Sequence, residues 1–248
     1  MKQVEQWGIY ELVLPCDVSG LENPFLVRVA AQIQGPGKSQ RVDGFYDGKF
    51  SFIIRYMPKE PGEHLVRVYS DILELDGKQE RFLVTPATEG NHGPAVVSGT
   101  RFRYADGSPL FICGTTAYVW HHRPAEIREQ SLDSFSKYGF NKIRMLFFPK
   151  HYTGGYSAVN VSYEPPCYPF EGQPGAFDFY RPNPEYFDEF ESRLRELMNR
   201  DISRMSSSSI PMTLVTGPLI LEWMRMPHSS ISSMPSRVLR LSAMCGGV

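Results

Sequence analysis

The composition of the chain breaks at about Ile202. All 16 Phe and all 13 Tyr of its 248 residues lie before that point. From Ser203 to Val248 there is no Phe, Tyr, Asp, Lys, Asn or Gln, while Ser and Met abound. Sheets and mixed cores draw on aromatic and β-branched residues. The part of the chain with the vocabulary for such a core therefore ends near residue 202, and any fold must be built before it.

A chain of 248 residues is long enough for one large domain or two ordinary ones. A hydrophobic content of 42% with 13% aromatics fits a globular protein rather than a disordered one. Net charge is −1, so no electrostatic footprint argues for nucleic acid or an anionic membrane as partner. The aromatic load suits a carbohydrate partner, because rings stack on sugar faces, although cores and sheets account for most of it. Cys16, Cys113, Cys167 and Cys245 are scattered, with no zinc spacing and no disulfide framework, and read as small buried hydrophobes. No cofactor or metal is expected. The start, Met1 to Trp7, has no apolar core of a leader, and no run of about 18 apolar residues spans a membrane. The default expectation is a cytoplasmic protein, unless the start is misassigned and a leader lost. Nothing sets the oligomeric state.

Residues 4 to about 86 read as all-β. Runs at Trp7 to Leu14, Phe25 to Ile33, Phe50 to Tyr56, Leu65 to Tyr69 and Arg81 to Thr85 are separated by turn signals. Those signals are Gly35-Pro36-Gly37, Asp47-Gly48, Pro61-Gly62 and Asp76-Gly77. Short strands at this spacing predict a β-sandwich of immunoglobulin type, with Asp47-Gly48 as its best hairpin turn. A linker follows, rich in Gly and Pro. Arg101 to Leu110 reads as a strand, a turn and the approach to a further strand. Leu110 to Thr116 then reads as a buried strand, Ser131 to Tyr138 as a helix stopped by Gly139, and Phe140 to Phe148 as a second strand. A long loop is expected from Pro149 to Arg181. Asn183 and Pro184 mark the start of a helix whose apolar stripe is Phe187, Phe190, Leu194, Leu197 and Met198. Strand, helix, strand, helix after a sandwich predicts βα units and a parallel sheet.

Phe111 to His122 (FICGTTAYVWHH) is similar to the first barrel strand, and the aromatic-rich turn after it, of the apiosidase-like (β/α)8 glycoside hydrolases. Lys142-Ile143-Arg144-Met145 with Phe148 to Tyr152 resembles their second strand and its loop. Phe177-Asp178-Phe179 with Arg181 to Phe187 resembles the approach to their second barrel helix. Val4 to Pro86 looks like domain of unknown function 5060, which precedes such barrels. The resemblance implies a β-sandwich (residues 1–87), a linker (88–100) and the first two βα units of a TIM barrel (101–202). It also implies a retaining carbohydrate hydrolase with two carboxylates roughly 5 Å apart, supplied by later strands. A closed barrel needs about 250 residues. The fragment is therefore expected to lack its catalytic pair and to be inactive as written. The alternative is a non-catalytic carbohydrate-binding or structural module.

Residues 203–248 read as a non-native, frameshifted segment or as a genuine disordered tail. Serine TCN codons at Ser206 to Ser209, read one base earlier, encode Val, Ile, Leu or Phe. Ile210 to Thr213 can likewise become His-Pro-Tyr-Asp, and Met244 to Val248 Asn-Val-Trp-Trp-Ser, both resembling later barrel strands. AGY codons at the four serines would rule this out. The candidate substrate-binding residues are Trp120, His121, Arg144, Lys150 and His151. Trp120, His121 and His122 stand where a barrel strand ends, as a sugar platform or as a packed loop. Arg144 sits in an apolar strand and either holds a substrate or catalytic group or closes an ion pair. Lys150 and His151 are loop residues within reach of a sugar. His121 and His122 do not suit a metal, since adjacent strand residues point to opposite faces. Glu185, Asp188, Glu189, Glu191 and Glu196, beside Arg193 and Arg195, read as a solvated helix face.

Overall fold

The computed structural model describes residues 1–145, 165–173, 176–200 and 202. Its strands run in order β1 (Lys2–Glu5), β2 (Tyr10–Pro15), β3 (Val29–Gln34), β4 (Ser39–Asp43), β5 (Phe45–Tyr46), β6 (Ser51–Tyr56), β7 (Gly62–Ser70) and β8 (Gln79–Thr85). After these come β9 (Ala95–Ser98), β10 (Arg101–Tyr104), β11 (Gly114–Thr116), α1 (Ala125–Lys137), β12 (Lys142–Arg144), β13 (Phe170–Gln173), β14 (Ala176–Pro182) and α2 (Pro184–Met198). The protein is mostly β-sheet with few helices.

The first eight strands form two sheets over one core. One has the order β1-β8-β7-β3-β4, with β1 parallel to β8 and the rest antiparallel; the other has the order β2-β6-β5. Strand side chains alternate between faces. Tyr10, Leu12 and Leu14 of β2 and Phe52 and Ile54 of β6 therefore meet Ile33, Val66, Val68, Phe82 and Val84 of the facing sheet. Tyr10 stacks on Phe82 with ring centroids 3.8 Å apart. Each fully buried large apolar side chain contributes about 1.5–3 kcal/mol against the entropy of folding.

The strands differ in detail from the sequence reading. Trp7 and Gly8 lie in a turn rather than in a strand. Trp7 has φ +62° and its ring lies against Gly93, where any side chain would overlap it, so β2 begins only at Tyr10. Pro24 opens a short 3-10 turn, Pro24–Leu26, capped by the Asn23 side chain, and this delays β3 to Val29. β1 and β4 carry mostly polar residues, which hid them; in β4 only Val42 is buried. The Asp47-Gly48 turn is present but spans residues 47–50, with the Asp47 carboxylate accepting from the amides of Lys49 and Ser51. The expected linker, 88–100, is not featureless, because β9 within it pairs with β10 across Gly99 at φ +61°.

Beyond the linker, β11 and β12 pair in parallel, with Gly114 opposite Lys142 and Thr116 opposite Arg144. α1 crosses between them, and Gly139 at φ +69° ends it as expected. The buried strand read at Leu110 to Thr116 is corrected. Only Gly114–Thr116 is strand; Leu110 is buried, but Phe111 is 84% exposed and Ile112 39%. Among the described residues β11 has one neighbour, so half of its edge and much of its side-chain surface are left uncovered. The expected long loop is corrected over its second half, where β13 and β14 make a hairpin. Its first half, with the end of the second predicted strand, lies outside the described residues.

α2 follows its sequence signals. Asn183 caps it by accepting from the Glu185 amide, and Pro184 holds the first turn. Phe187, Phe190, Leu194 and Leu197 are buried as expected, whereas Met198 is 49% exposed. The acidic face is the larger correction. Glu191 is buried, and both its oxygens accept from Arg55 of β6, at 3.2 and 3.1 Å. Arg55 also donates to Glu11 and lies 5.2 Å from the Phe45 ring centroid. Burial works against its charge, but Glu191 and Glu11 outweigh that and hold it protonated. A paired buried ion is invisible to a helical-wheel reading because its partner lies 136 positions away.

Candidate functional site

Parallel pairing puts the C-terminal ends of β11 and β12 side by side, the place where open α/β sheets and barrels gather binding groups. The other end is closed by one side chain. Asn141 accepts from the Cys113 amide at 2.8 Å and donates to the Phe111 carbonyl at 2.6 Å, pinning the two strand entries together. At the C-terminal end the Ala117 amide donates to the Arg144 carbonyl at 2.8 Å. The chain then turns through Tyr118 into the 3-10 turn Trp120–His122.

Of the five residues expected to touch substrate, three can be placed. Trp120 is 3% exposed, its indole Nε1 donates to the Arg128 carbonyl at 3.2 Å, and its ring belongs to the core formed with Leu132, Ile143 and Phe187. It offers no open face for a sugar and acts here as the packed anchor of the turn. His121 is also 3% exposed, between His122 and the α2 residues Tyr186 and Phe190. Arg144 is half-buried, not sealed in the sheet, with its guanidinium 5.7 Å from the Tyr118 ring centroid. That is a cation–π contact. Lys150 and His151 lie outside the described residues. His121 and His122 are not on a strand, so the opposite-faces argument does not apply to them; their ring centroids are 4.7 Å apart. Among the described residues no three His, Cys, Asp or Glu side chains group as metal ligands.

Two members of the site went unread in the sequence. Tyr186 is fully enclosed, with its hydroxyl 3.5 Å from His121 Nε2, and burial pushes its pKa well above the usual range. Cys167 is half-buried, and burial with Glu185 and Glu189 nearby pushes its thiol up to about 11. Tyr186 was legible as the partner of Phe190 at helical i, i+4 spacing. Cys167 carried no signal. His121 is held neutral, well below its ordinary pKa, first by burial and then by His122 and Arg193. At neutral pH His121, Tyr186 and Cys167 are thus uncharged, while Arg193, Glu185 and Glu189 bring charge to their surroundings.

The sequence at these strand ends supplies no acid either. No Asp or Glu occurs between Asp106 and Glu126, or between Asp133 and Glu164. Neither strand contains an Asp or Glu, and the first to follow them in the chain are Glu126 and Glu164.

A second opening lies between the two regions. It is a cleft of about 560 Å³ lined by Leu26, Asp71, Asp178, Tyr180 and Arg181 among others. Asn23 donates to the Tyr180 carbonyl and Arg181 to the Glu22 carbonyl across it. These bonds use its polar groups to join the regions.

Residues 3–71 match the family described as domain of unknown function 5060. The fold is similar to a solved protein of Bacteroides vulgatus ATCC 8482 named "putative glycoside hydrolase", with 36% identity and a TM-score of 0.73. That similarity covers 82% of this chain and 40% of the other, so the chain spans well under half the length of its neighbour. No curated protein matches. The protein is glycoside-hydrolase-like in fold. No helix among the described residues is long and apolar enough to cross a membrane.

Proposed function

We propose that the chain is the N-terminal part of an apiosidase-like retaining glycoside hydrolase acting on O-glycosidic bonds of oligosaccharides. Residues 1–87 are an immunoglobulin-like sandwich, 88–100 join it to the catalytic domain, and 101–202 are the first two βα units of an incomplete (β/α)8 barrel. The segment read from sequence as a frameshifted or disordered tail, residues 203–248, lies outside the described residues. On this reading Arg144, Lys150 and His151 contact the sugar, while Trp120 and His121, both sealed, shape the turn rather than touch it. The carboxylate pair belongs to later strands, so these 248 residues alone are inactive. The observation that carries the reading is the parallel β11–β12 pair with α1 between, at 36% identity to a protein more than twice as long.

The test uses the purified chain and a version extended after restoring the frame downstream of Asp201. With aryl glycosides and plant oligosaccharides the extended protein should release sugar and the 248-residue chain should not. Ordinary turnover by the short chain, or none by the extended one, would overturn the assignment. The acid-free strand ends favour one rival, a non-catalytic carbohydrate-binding module. Glycan-array binding by both proteins without hydrolysis by either would select it.

A further inference from the structure

His121 is 3% exposed and held in the 3-10 turn Trp120–His122, against α2. Its ring meets those of His122, Tyr186 and Phe190 edge to face, with centroids 4.7, 6.4 and 5.2 Å away. Nε2 lies 3.3 Å from His122 Nδ1 and 3.5 Å from the Tyr186 hydroxyl. Nδ1 has no hydrogen-bond partner among the described residues. In a neutral imidazole one nitrogen carries a proton and the other does not, and in the charged form both must donate. Charging His121 would therefore create a buried donor at Nδ1 with nothing to receive it, inside an aromatic enclosure, beside another imidazole. The charged group acting on it from α2 is Arg193, and from its own turn His122; both oppose a positive charge. An unpaired buried charge is not tolerated; the structure opens or the group stays neutral.

We propose that His121 is an acid-sensitive latch: when it takes a proton, the Trp120–His122 turn separates from α2 and the second region loosens while the sandwich stays closed. The sign follows from linkage. The opened form binds its proton at the ordinary histidine value near 6.5, and the closed form binds it only well below that. Closure is therefore fully supported above about pH 6.5 and weakens as the pH falls below it. One proton changes the opening constant by at most tenfold per pH unit. This inference does not depend on the enzymatic reading.

Hydrogen exchange read by mass spectrometry on the whole chain, corrected for the intrinsic pH dependence of exchange, tests it. Between pH 7.5 and 5 the α2 peptides should lose protection by up to about tenfold per unit below pH 6.5. Peptides from β3 and β7 should not change. H121F, which keeps an aromatic ring but cannot charge, should make α2 protection flat with pH. A pH-dependent α2 in H121F, or a flat α2 in the native chain, would overturn the proposal. If H121F does not fold, the native chain still decides by NMR. His121 must show no titration while α2 is closed, and titration at its usual value with α2 protected would sink the latch.

Discussion

Each of the two regions buries a histidine, and the two are treated differently. His64 of the sandwich is 2% exposed, stacked near Phe82 with its Nδ1 donating to the Gly62 carbonyl at 3.2 Å. His121 of the second region is equally enclosed, yet has a second imidazole as neighbour and a nitrogen with no hydrogen-bond partner among the described residues. The same contrast runs through the surroundings. The sandwich closes one apolar core between two complete faces. The second region builds a smaller core around α2, leaves Phe111 and Ile112 in solvent, and seals titratable groups beneath its strand ends. Among the described residues the buried side-chain groups without a hydrogen-bond partner include the Tyr10 hydroxyl in the sandwich but gather in the second region, at His121 Nδ1, Arg128 Nε and Arg193 Nε, and such groups mark a place for a ligand or a change of state.

The sharpest way to break this comparison is to cut both cores. Phe82→Ala removes a fully buried ring stacked on Tyr10 and should cost about 3–5 kcal/mol in denaturant unfolding of the sandwich. Leu132→Ala, at an equally buried site in the smaller cluster, should cost about 2 kcal/mol, at the low end for such changes. Equal losses would mean that the second region is as tightly packed as the first. The seam between the regions comes next. Arg55→Ala strands the buried Glu191 carboxylate, whose remaining partner Arg195 lies at 3.5 Å and is largely exposed, and should cost about 3 kcal/mol. The double change Arg55→Met with Glu191→Met should cost clearly less than Arg55→Ala, because no charge is left buried. If the double variant is worse, the ion pair holds the regions together by more than avoiding an unpaired charge. A smaller effect, about 1 kcal/mol, is expected on α2 from Asn183→Ala, which removes its cap and is readable as faster exchange in its first turn.

The smallest effect lies between the regions. Asp106 accepts from Ser108 and pairs with His92 at 2.7 Å, and these hold its carboxyl down to about 2. Its folded value lies below the unfolded one. Its contribution is therefore present above the ordinary carboxylate value and is lost as pH falls toward 2. Ser108→Ala should raise the Asp106 midpoint toward the usual range by NMR, with little change in melting temperature, since the group is exposed.

Much of the fold could be read along the chain. The signals that worked were local ones: the Asp47-Gly48 turn, the Gly139 stop, the Asn183-Pro184 start and the apolar stripe of α2. The failures came where burial depends on what lies opposite. Phe111 and Ile112 have the composition of an inner strand, but composition cannot supply the neighbour that would cover them. Glu191 has the composition of a solvated helix, but Arg55 stands across from it. At the candidate site, Arg144 ends β12, and Trp120 and His121 lie in the turn that follows β11. Their exposure was not legible, and the platform expected of Trp120 became a buried anchor.

The residues alone gave the turn at Asp47-Gly48, the stop at Gly139 and the start at Asn183-Pro184, because caps and turns are decided within a few residues of backbone. They also showed that β11, β12 and the residues directly after them carry no Asp or Glu. Which polar groups are sealed, which are paired and which are left open depends on the assembled fold. Desolvation and ion pairing depend on contacts between residues far apart in the chain: Arg55 with Glu191, and His121 with Tyr186.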